Sequence, residues 1–247
     1  MQVNWLGHTI QLVNETVKAG GSAWAPSGKP WGFDVLSRFC KRFERLGSEL
    51  VVVDVGANTG GWTLLFAALP NVRKVYSFEP VPMMFEILQK NIQLNEFGKK
   101  VVPICKAASN RVGEIQFSLT EDPAFSHGGQ KTLRTHIVGG VEVVLKHKHI
   151  SVPTTTLDTI LQHESHLHAI KIDIEGGELQ AIQGAEKVLR QHYPDILYEH
   201  CIRNTLQFDY KPEQIVELLK SFGYNDFENW SAYEPGSVCF DCLARKV

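Results

Sequence analysis

Long apolar runs are missing from this 247-residue chain. No stretch approaches the ~20 consecutive apolar residues of a membrane span, so no membrane partner is expected. A charge excess is missing as well: 25 Lys and Arg face 27 Asp and Glu, for a formal net charge of -2. Proteins that grip nucleic acid through its phosphates usually carry a basic stripe, so no nucleic-acid partner is expected. The opening residues, MQVNWLGHTIQLVNETV, lack the basic and apolar regions of a secretory signal; a cytoplasmic location is the expectation. Cysteine is sparse and odd in number, at Cys40, Cys105, Cys201, Cys239 and Cys242, which excludes a small disulfide-stapled scaffold. Cys239 and Cys242 are spaced C-x-x-C, but a zinc ribbon needs a second such pair. Positions i and i+3 of an extended strand also face opposite ways, so both read as core thiols of a terminal strand. Oligomeric state is left open.

What is present is an ordinary globular composition, 43% hydrophobic and 21% charged, in a chain long enough to bury one large core. Runs rich in Val and Ile alternate with helical patterns, as in a parallel sheet built from βαβ units. Strands are expected at 50–55 (LVVVDV), 75–79, 101–105, 169–174 and 195–199. Helices are expected at 82–95 and 178–191, each from an apolar face at helical spacing, and at 212–222, from its start signal at Pro212 and stop signal at Gly223. Two last strands, near 224–229 and 237–245, flank a short EPG turn and should pair antiparallel. Two regions break the rhythm. Residues 19–32 are rich in Gly and Pro and carry Trp24 and Trp31; they suit a surface loop or a lid over an acceptor. Residues 120–149 form a polar stretch between EIQFSL and VEVVL, again a loop or a specificity insert. Division into an N-terminal extension with a candidate lid, 1–48, and a catalytic domain, 49–247, follows.

The most informative stretch is VVVDVGANTGGW, where a strand ends in Asp54 and turns through Gly56, Gly60 and Gly61 into a helix. Such a turn brings backbone and helix N-terminus close to a nucleotide-like ligand. A Walker loop is excluded, because no Gly-Lys-Ser/Thr follows. A dinucleotide fingerprint needs G-x-G-x-x-G; here the second glycine is missing, and Asp54 would repel a pyrophosphate. A ligand carrying an ammonium and a sulfonium, S-adenosyl-L-methionine, fits better. Its amino-acid end would meet Asp54 and the turn Gly56-Ala57-Asn58-Thr59-Gly60, and its ribose would meet Glu79, followed by Pro80, at the end of the next strand. The competing structural roles are a turn acid for Asp54 and a helix-start acid for Glu79.

DVGANTGG, SFEP, NIQLN, ASNRVGEIQF, TTTLDTIL, IKIDIEGGELQAIQGAEKVL and ILYEH, in that order, resemble the FkbM family of S-adenosylmethionine-dependent methyltransferases over roughly residues 50–200. The resemblance implies an α/β, Rossmann-like class I methyltransferase fold: a mostly parallel seven-stranded sheet with an antiparallel C-terminal hairpin and helices on both faces. It implies O-methylation of a sugar or small-molecule hydroxyl as the activity. It carries Asp54, Gly56, Asn58, Gly60 and Glu79 over as cofactor contacts, and sets Ala107 and Ala108 where adenine stacks.

Methyl transfer to a neutral hydroxyl needs alignment and, usually, a base. Asp173 and Glu175 in AIKIDIEGGE and His200 in ILYEH are the catalytic candidates, Asp173 also beside the cofactor; Glu199 is a neighbour and Glu178 reads as a helix-start acid. Magnesium on these acids stays open, and no metal site is assigned; HESHLH, 163–168, misses the H-E-x-x-H spacing. Two other functions remain open: a noncatalytic scaffold retaining the fold, and a nucleic-acid methyltransferase. The second is disfavoured because Asp173-Ile174-Glu175-Gly176 stands where an Asp/Asn-Pro-Pro-aromatic element would.

Overall fold

The computed structural model describes residues 1–19, 24–25, 27–119, 127–128, 135–138, 141–144, 148–205, 208–230 and 239–247. It opens with a hairpin, β1 (Gln2–Trp5) and β2 (His8–Gln11), and two helices, α1 (Glu15–Ala19) and α2 (Phe33–Leu46). Strands and helices then alternate: β3 (Leu50–Val55), α3 (Gly61–Ala68), β4 (Val72–Phe78), α4 (Pro82–Leu94) and β5 (Val101–Ile104). Short strands follow, β6 (Ala107–Ala108), β7 (Gly113–Leu119), β8 (His127–Gly128), β9 (Thr135–Val138), β10 (Val141–Val144) and β11 (Lys148–Thr155). The alternation resumes with α5 (Leu157–Leu161), β12 (Ala169–Ile172), α6 (Glu178–Gln183), α7 (Glu186–His192) and β13 (Asp195–Cys201). The chain closes with α8 (Ile202–Thr205), α9 (Glu213–Phe222), β14 (Asp226–Asn229) and β15 (Cys239–Arg245).

Seven strands make the main sheet, in the order β14-β15-β13-β12-β3-β4-β5. β13, β12, β3, β4 and β5 run parallel, and β15 runs antiparallel to both its neighbours, as the sequence predicts. The chain lays down β3, β4 and β5 in one direction and later returns to β12 on the other side of β3. The carboxyl ends of β3 and β12 therefore flank a topological switch point, where open α/β sheets bind ligands. All six residues of β3 are buried, as expected of a strand covered on both faces. Leu50 and Val52 pack with Phe39 and Leu64 on one side; Val51, Val53 and Val55 pack with Ile182 and Leu189 on the other. The alternation assigns each residue at the strand tips to one of two faces.

The N-terminal residues belong to the same core. α2 buries Val35, Leu36, Phe39, Cys40 and Phe43 along one stripe, and Phe39 meets Phe43, Phe66 and Trp230 edge-on. Trp24 is buried, lies tilted against Trp5 with ring centroids 5.9 Å apart, and donates its indole N–H to Thr59 Oγ1 at 2.9 Å. The two rings of 19–32 differ: Trp24 is a core residue rather than part of a surface loop, while Trp31 is 68% exposed. The expected helix 178–191 is two helices, because Gly184 lies so close to the Ser109 carbonyl that a Cβ would collide with it, and the Gly184 carbonyl accepts from the Asp158 amide. EIQFSL pairs with β11, in register from Lys148↔Leu119 to Thr154↔Gly113, whereas Val141–Val144 pairs with Thr135–Val138. His127–Gly128 pairs with β7, and residues 120–126, 129–134, 139–140 and 145–147 and the EPG turn lie outside the described residues. Among the described residues no helix is long and apolar enough to cross a membrane.

Phe39→Ala is expected to destabilise the protein by about 3–5 kcal/mol, the usual loss for a buried aromatic. Trp31→Ala at its exposed position should change stability by less than about 0.5 kcal/mol. Chemical denaturation of the two variants checks the contrast; equal losses would place Trp31 in the core.

Candidate active site

The site is built where β3 ends. Gly56 takes φ 85° and Gly60 φ 106°, both left-handed conformations that side chains resist. At Gly56 a Cβ would also strike the Asp173 carbonyl oxygen, so the glycine turn and the turn after β12 interlock. The Gly56 and Ala57 amides donate to the Phe78 carbonyl at 3.0 and 2.9 Å, tying the turn to β4. Asn91, buried on α4, donates to the Thr59 carbonyl and accepts from the Val13 amide, at 2.8 and 2.9 Å; Asn95 exchanges two bonds with Gln11. NIQLN in the sequence is thus the clamp that holds the first hairpin and the glycine turn to α4.

Asp54 is 0% exposed. Thr63 Oγ1 donates to its Oδ2 at 2.7 Å, and Lys171, its register neighbour on β12, brings Nζ to 3.3 Å from Oδ1. That approach is an ion pair rather than an aligned hydrogen bond, for Oδ1 has no hydrogen-bond partner among the described residues. Lys171 Nζ also donates to the Gly56 carbonyl at 2.9 Å, lies 3.8 Å from Asp173 Oδ2, and stands 5.6 Å over the Trp62 ring. Burial alone would lower its pKa, but Asp54 and Asp173 outweigh burial and raise it above the ordinary lysine value. An Asp54 carboxylate with no exposed surface and a lysine beside it does not present itself to a ligand's ammonium, as the sequence suggests it would.

Glu79 is 6% exposed, and the Asn58 and Val81 amides each donate to one of its oxygens at 2.8 Å. Each oxygen keeps an acceptor site, which fits the two hydroxyls of a ribose. Pro80 is buried beside it. Ala107 packs with Val81 and Met84 in a small apolar cluster next to Glu79, a surface suited to a flat ring; Ala108 packs into the main core instead. Burial raises Glu79 to about 7, against the pull of the two amides.

Beyond Lys171, the carboxyl edge gathers acids. Asp173 is the accessible one, with a side chain 45% exposed. Asn204 Nδ2 donates to Glu175 Oε2 at 2.9 Å and Glu199 Oε2 at 2.8 Å, fixing two carboxylates together. Burial, then the charges of Asp173, Glu175 and Glu178, raise Glu199 well above the carboxylate range. Burial and Asp173 likewise raise Asp241, opposite Glu199 on β15, to about 7. Glu178 accepts from the Ile174 and Gly176 amides at 2.9 and 3.2 Å, the helix-start role expected of it. His200 is not gathered into this set. It shares a face with Tyr198, stacks on Phe240 at 4.4 Å, and feels Glu213 on α9, while Glu199 lies on the opposite face with Leu197. Sequence reasoning missed Lys171, Asn204 and Asp241. For Lys171 a signal exists, a lone cation inside the apolar strand AIKI.

A parallel sheet with its switch point at a glycine turn, an acid at each of the two adjoining strand ends and a carboxylate cluster alongside define a Rossmann-like class I methyltransferase. The model of the methyltransferase FkbM domain matches residues 54–225, and the chain belongs to that family. Its cofactor, by family and fold, is S-adenosyl-L-methionine. The chain is 24% identical over 230 residues to methyltransferase sdnD of Sordaria araneosa, covering 82% of this chain and 84% of that one. The fold is shared with the methyltransferase FkbM of Methylobacillus flagellatus KT, at TM-score 0.51 and 17% identity, over 80% of this chain but 43% of that one. This chain therefore spans less than half the length of that relative. The fold is also shared with the precorrin-6y C5,15-methyltransferase of Geobacter metallireducens GS-15, at TM-score 0.51 and 13% identity, over 96% and 94% of the two chains.

Glu79 gives a pH dependence whose sign is fixed. Its folded pKa is raised from 4.5 to about 7, so the folded state holds its proton longer than the unfolded state does. The ligand-free protein should lose stability as pH rises from about 4.5 through about 7, by up to about 3 kcal/mol. Glu79→Gln leaves one amide facing a donor and should be less stable at low pH, but its fall should be smaller by the Glu79 share, leaving that of the other raised acids such as Asp241. Denaturation at pH 5 and pH 8 reads the difference; an unchanged slope in the variant would assign the fall elsewhere.

Proposed function

We propose that the domain transfers the methyl group of S-adenosyl-L-methionine to a hydroxyl of a sugar or other small molecule. The observation that carries this reading is the division of acids at the carboxyl edge. Glu79 is enclosed and pre-bonded on the cofactor side, whereas Asp173 is exposed beside Lys171, with Glu175 and Glu199 held by Asn204 behind it. When bound, the cofactor supplies a methyl group already activated on its sulfonium. The chain then has to hold the cofactor, orient the acceptor oxygen and take its proton.

Glu79 would accept from the ribose, and the Gly56–Gly60 turn would approach the amino-acid end, with Ala107 beside the adenine. Asp54 acts by holding Lys171 and the turn rather than by direct contact. Asp173, accessible and two residues beyond Lys171, would accept the hydroxyl proton, and Glu175 would line the acceptor side. Neutral sugars carry many hydroxyl donors, which suits a wall of carboxylates.

Asp173→Asn is expected to lower kcat about 100-fold or more while S-adenosylhomocysteine affinity stays within about threefold, because the change removes a base and keeps the shape. Glu79→Ala should do the reverse, weakening that affinity by about 1–3 kcal/mol. Calorimetry gives the affinities, and transfer of labelled methyl to a panel of sugars and small alcohols gives the rates. Folded wild type that binds neither S-adenosylmethionine nor S-adenosylhomocysteine would end the reading, and an unchanged kcat in Asp173→Asn would mean that the base lies elsewhere.

A further inference from the structure

Cys201 and Cys239 face each other across β13 and β15 and are joined by a disulfide. The next pair on that face of the ladder is Glu199 with Asp241. Opposed residues share a face and alternate residues return to it, so these four side chains form a square at the strand ends. One ligand atom each from Glu199, Cys201 and Cys239 all lie within 4.8 Å of one another. We propose that this corner is a redox-gated site for a soft divalent cation of the zinc class: reduced, the two thiolates and the Glu199 carboxylate ligate the ion; oxidised, the disulfide closes the site.

The donor set suits that ion, since two sulfurs and one oxygen favour zinc over magnesium or calcium. Zinc–sulfur bonds of about 2.3 Å at a tetrahedral angle set two sulfurs roughly 3.8 Å apart. In the disulfide the two sulfurs are bonded, with their Cα atoms 4.0 Å apart, so on reduction they would move out to that separation by rotation of the cysteine side chains. The Asn204 amide, 2.8 Å from Glu199 Oε2, leaves the other carboxylate oxygen to ligate and fixes its direction, as ligand-orienting partners do. A dication here would also offset the carboxylates crowded at this edge. Three protein ligands leave a fourth position, beside Asp241 at the remaining corner of the square.

The chemistry balances. The disulfide takes two electrons and two protons from two molecules of a small thiol such as glutathione, which leave as their own disulfide. On binding the cation each protein thiol and the Glu199 carboxyl release their protons to solvent. In a reducing compartment the dithiol prevails. The C-x-x-C spacing points to the wrong pair. Cys242, one strand face away, belongs to the opposite core, and the partner of Cys239 lies 38 residues earlier.

The full chain is prepared in two forms, reduced with a phosphine that is then removed, and oxidised with glutathione disulfide. Zinc binding is measured by competition with a chromophoric chelator, and cobalt(II) is added in parallel. The reduced form should take up a single zinc ion and show a thiolate-to-cobalt charge-transfer band; the oxidised form should do neither. Cys201→Ser and Cys239→Ser should each weaken zinc binding at least about 100-fold, and Glu199→Gln about 10-fold, with Cys242→Ser unchanged. Reduced wild type that binds no zinc and gives no cobalt band overturns the proposal. So does a folded Cys201→Ser/Cys239→Ser protein that binds zinc like wild type. If the serine variants do not fold, the comparison of reduced with oxidised wild type still decides.

Discussion

The buried pair of Asp54 and Lys171 is the interaction on which the site depends. Neither charge has water to solvate it, and an uncompensated charge in that position would cost several kcal/mol. Each is therefore bound to the other, and through the other to the chain around it. Lys171 reaches the Gly56 carbonyl and Asp173, and Asp54 reaches Thr63, whose hydroxyl also meets Ser77 on β4. The pair joins β3, β12, α3 and β4 at the switch point. With the Gly56 turn locked against Asp173, it leaves the glycine loop little freedom to take another shape.

From that junction the two sides of the carboxyl edge diverge. Toward β4 the acid is enclosed: Glu79 is pre-bonded by amides and raised by burial. Toward β13 and β15 the acids are crowded and partly exposed, held by Asn204 and fringed by two cysteines. On the proposed function, the first side would serve a constant cofactor and the second would face whatever varies, so differences among acceptors should be written in β13, α8 and β15 rather than in the glycine turn.

Much of this was legible in the sequence, because it is local. The valine run of β3, the glycines after Asp54 and the acid of SFEP are patterns within a few residues, and each falls where the pattern put it. What escaped is what register decides. Lys171 looked like one polar residue inside an apolar strand, and its partner is 117 positions away in the chain. His200 and Glu199 are adjacent in sequence but face opposite sides of the sheet, so a histidine that looked catalytic stacks on Phe240. Trp24 sat in a Gly- and Pro-rich segment that reads as a loop, yet its indole has both a core to fill and Thr59 to bond. The break at Gly184 follows from a carbonyl supplied by Ser109, a contact that no helical periodicity contains.

The most direct test of the central pair is a double-mutant cycle of Asp54→Asn and Lys171→Met, read as S-adenosylhomocysteine affinity by calorimetry. Asp54→Asn leaves Lys171 only its longer approach to Asp173, and Lys171→Met leaves Asp54 buried without a cation; each should weaken binding at least about 10-fold, whereas the double change removes both charges and should recover much of that loss. The coupling energy expected is about 1–3 kcal/mol. Losses that simply add, or single variants that bind as wild type does, would contradict the account.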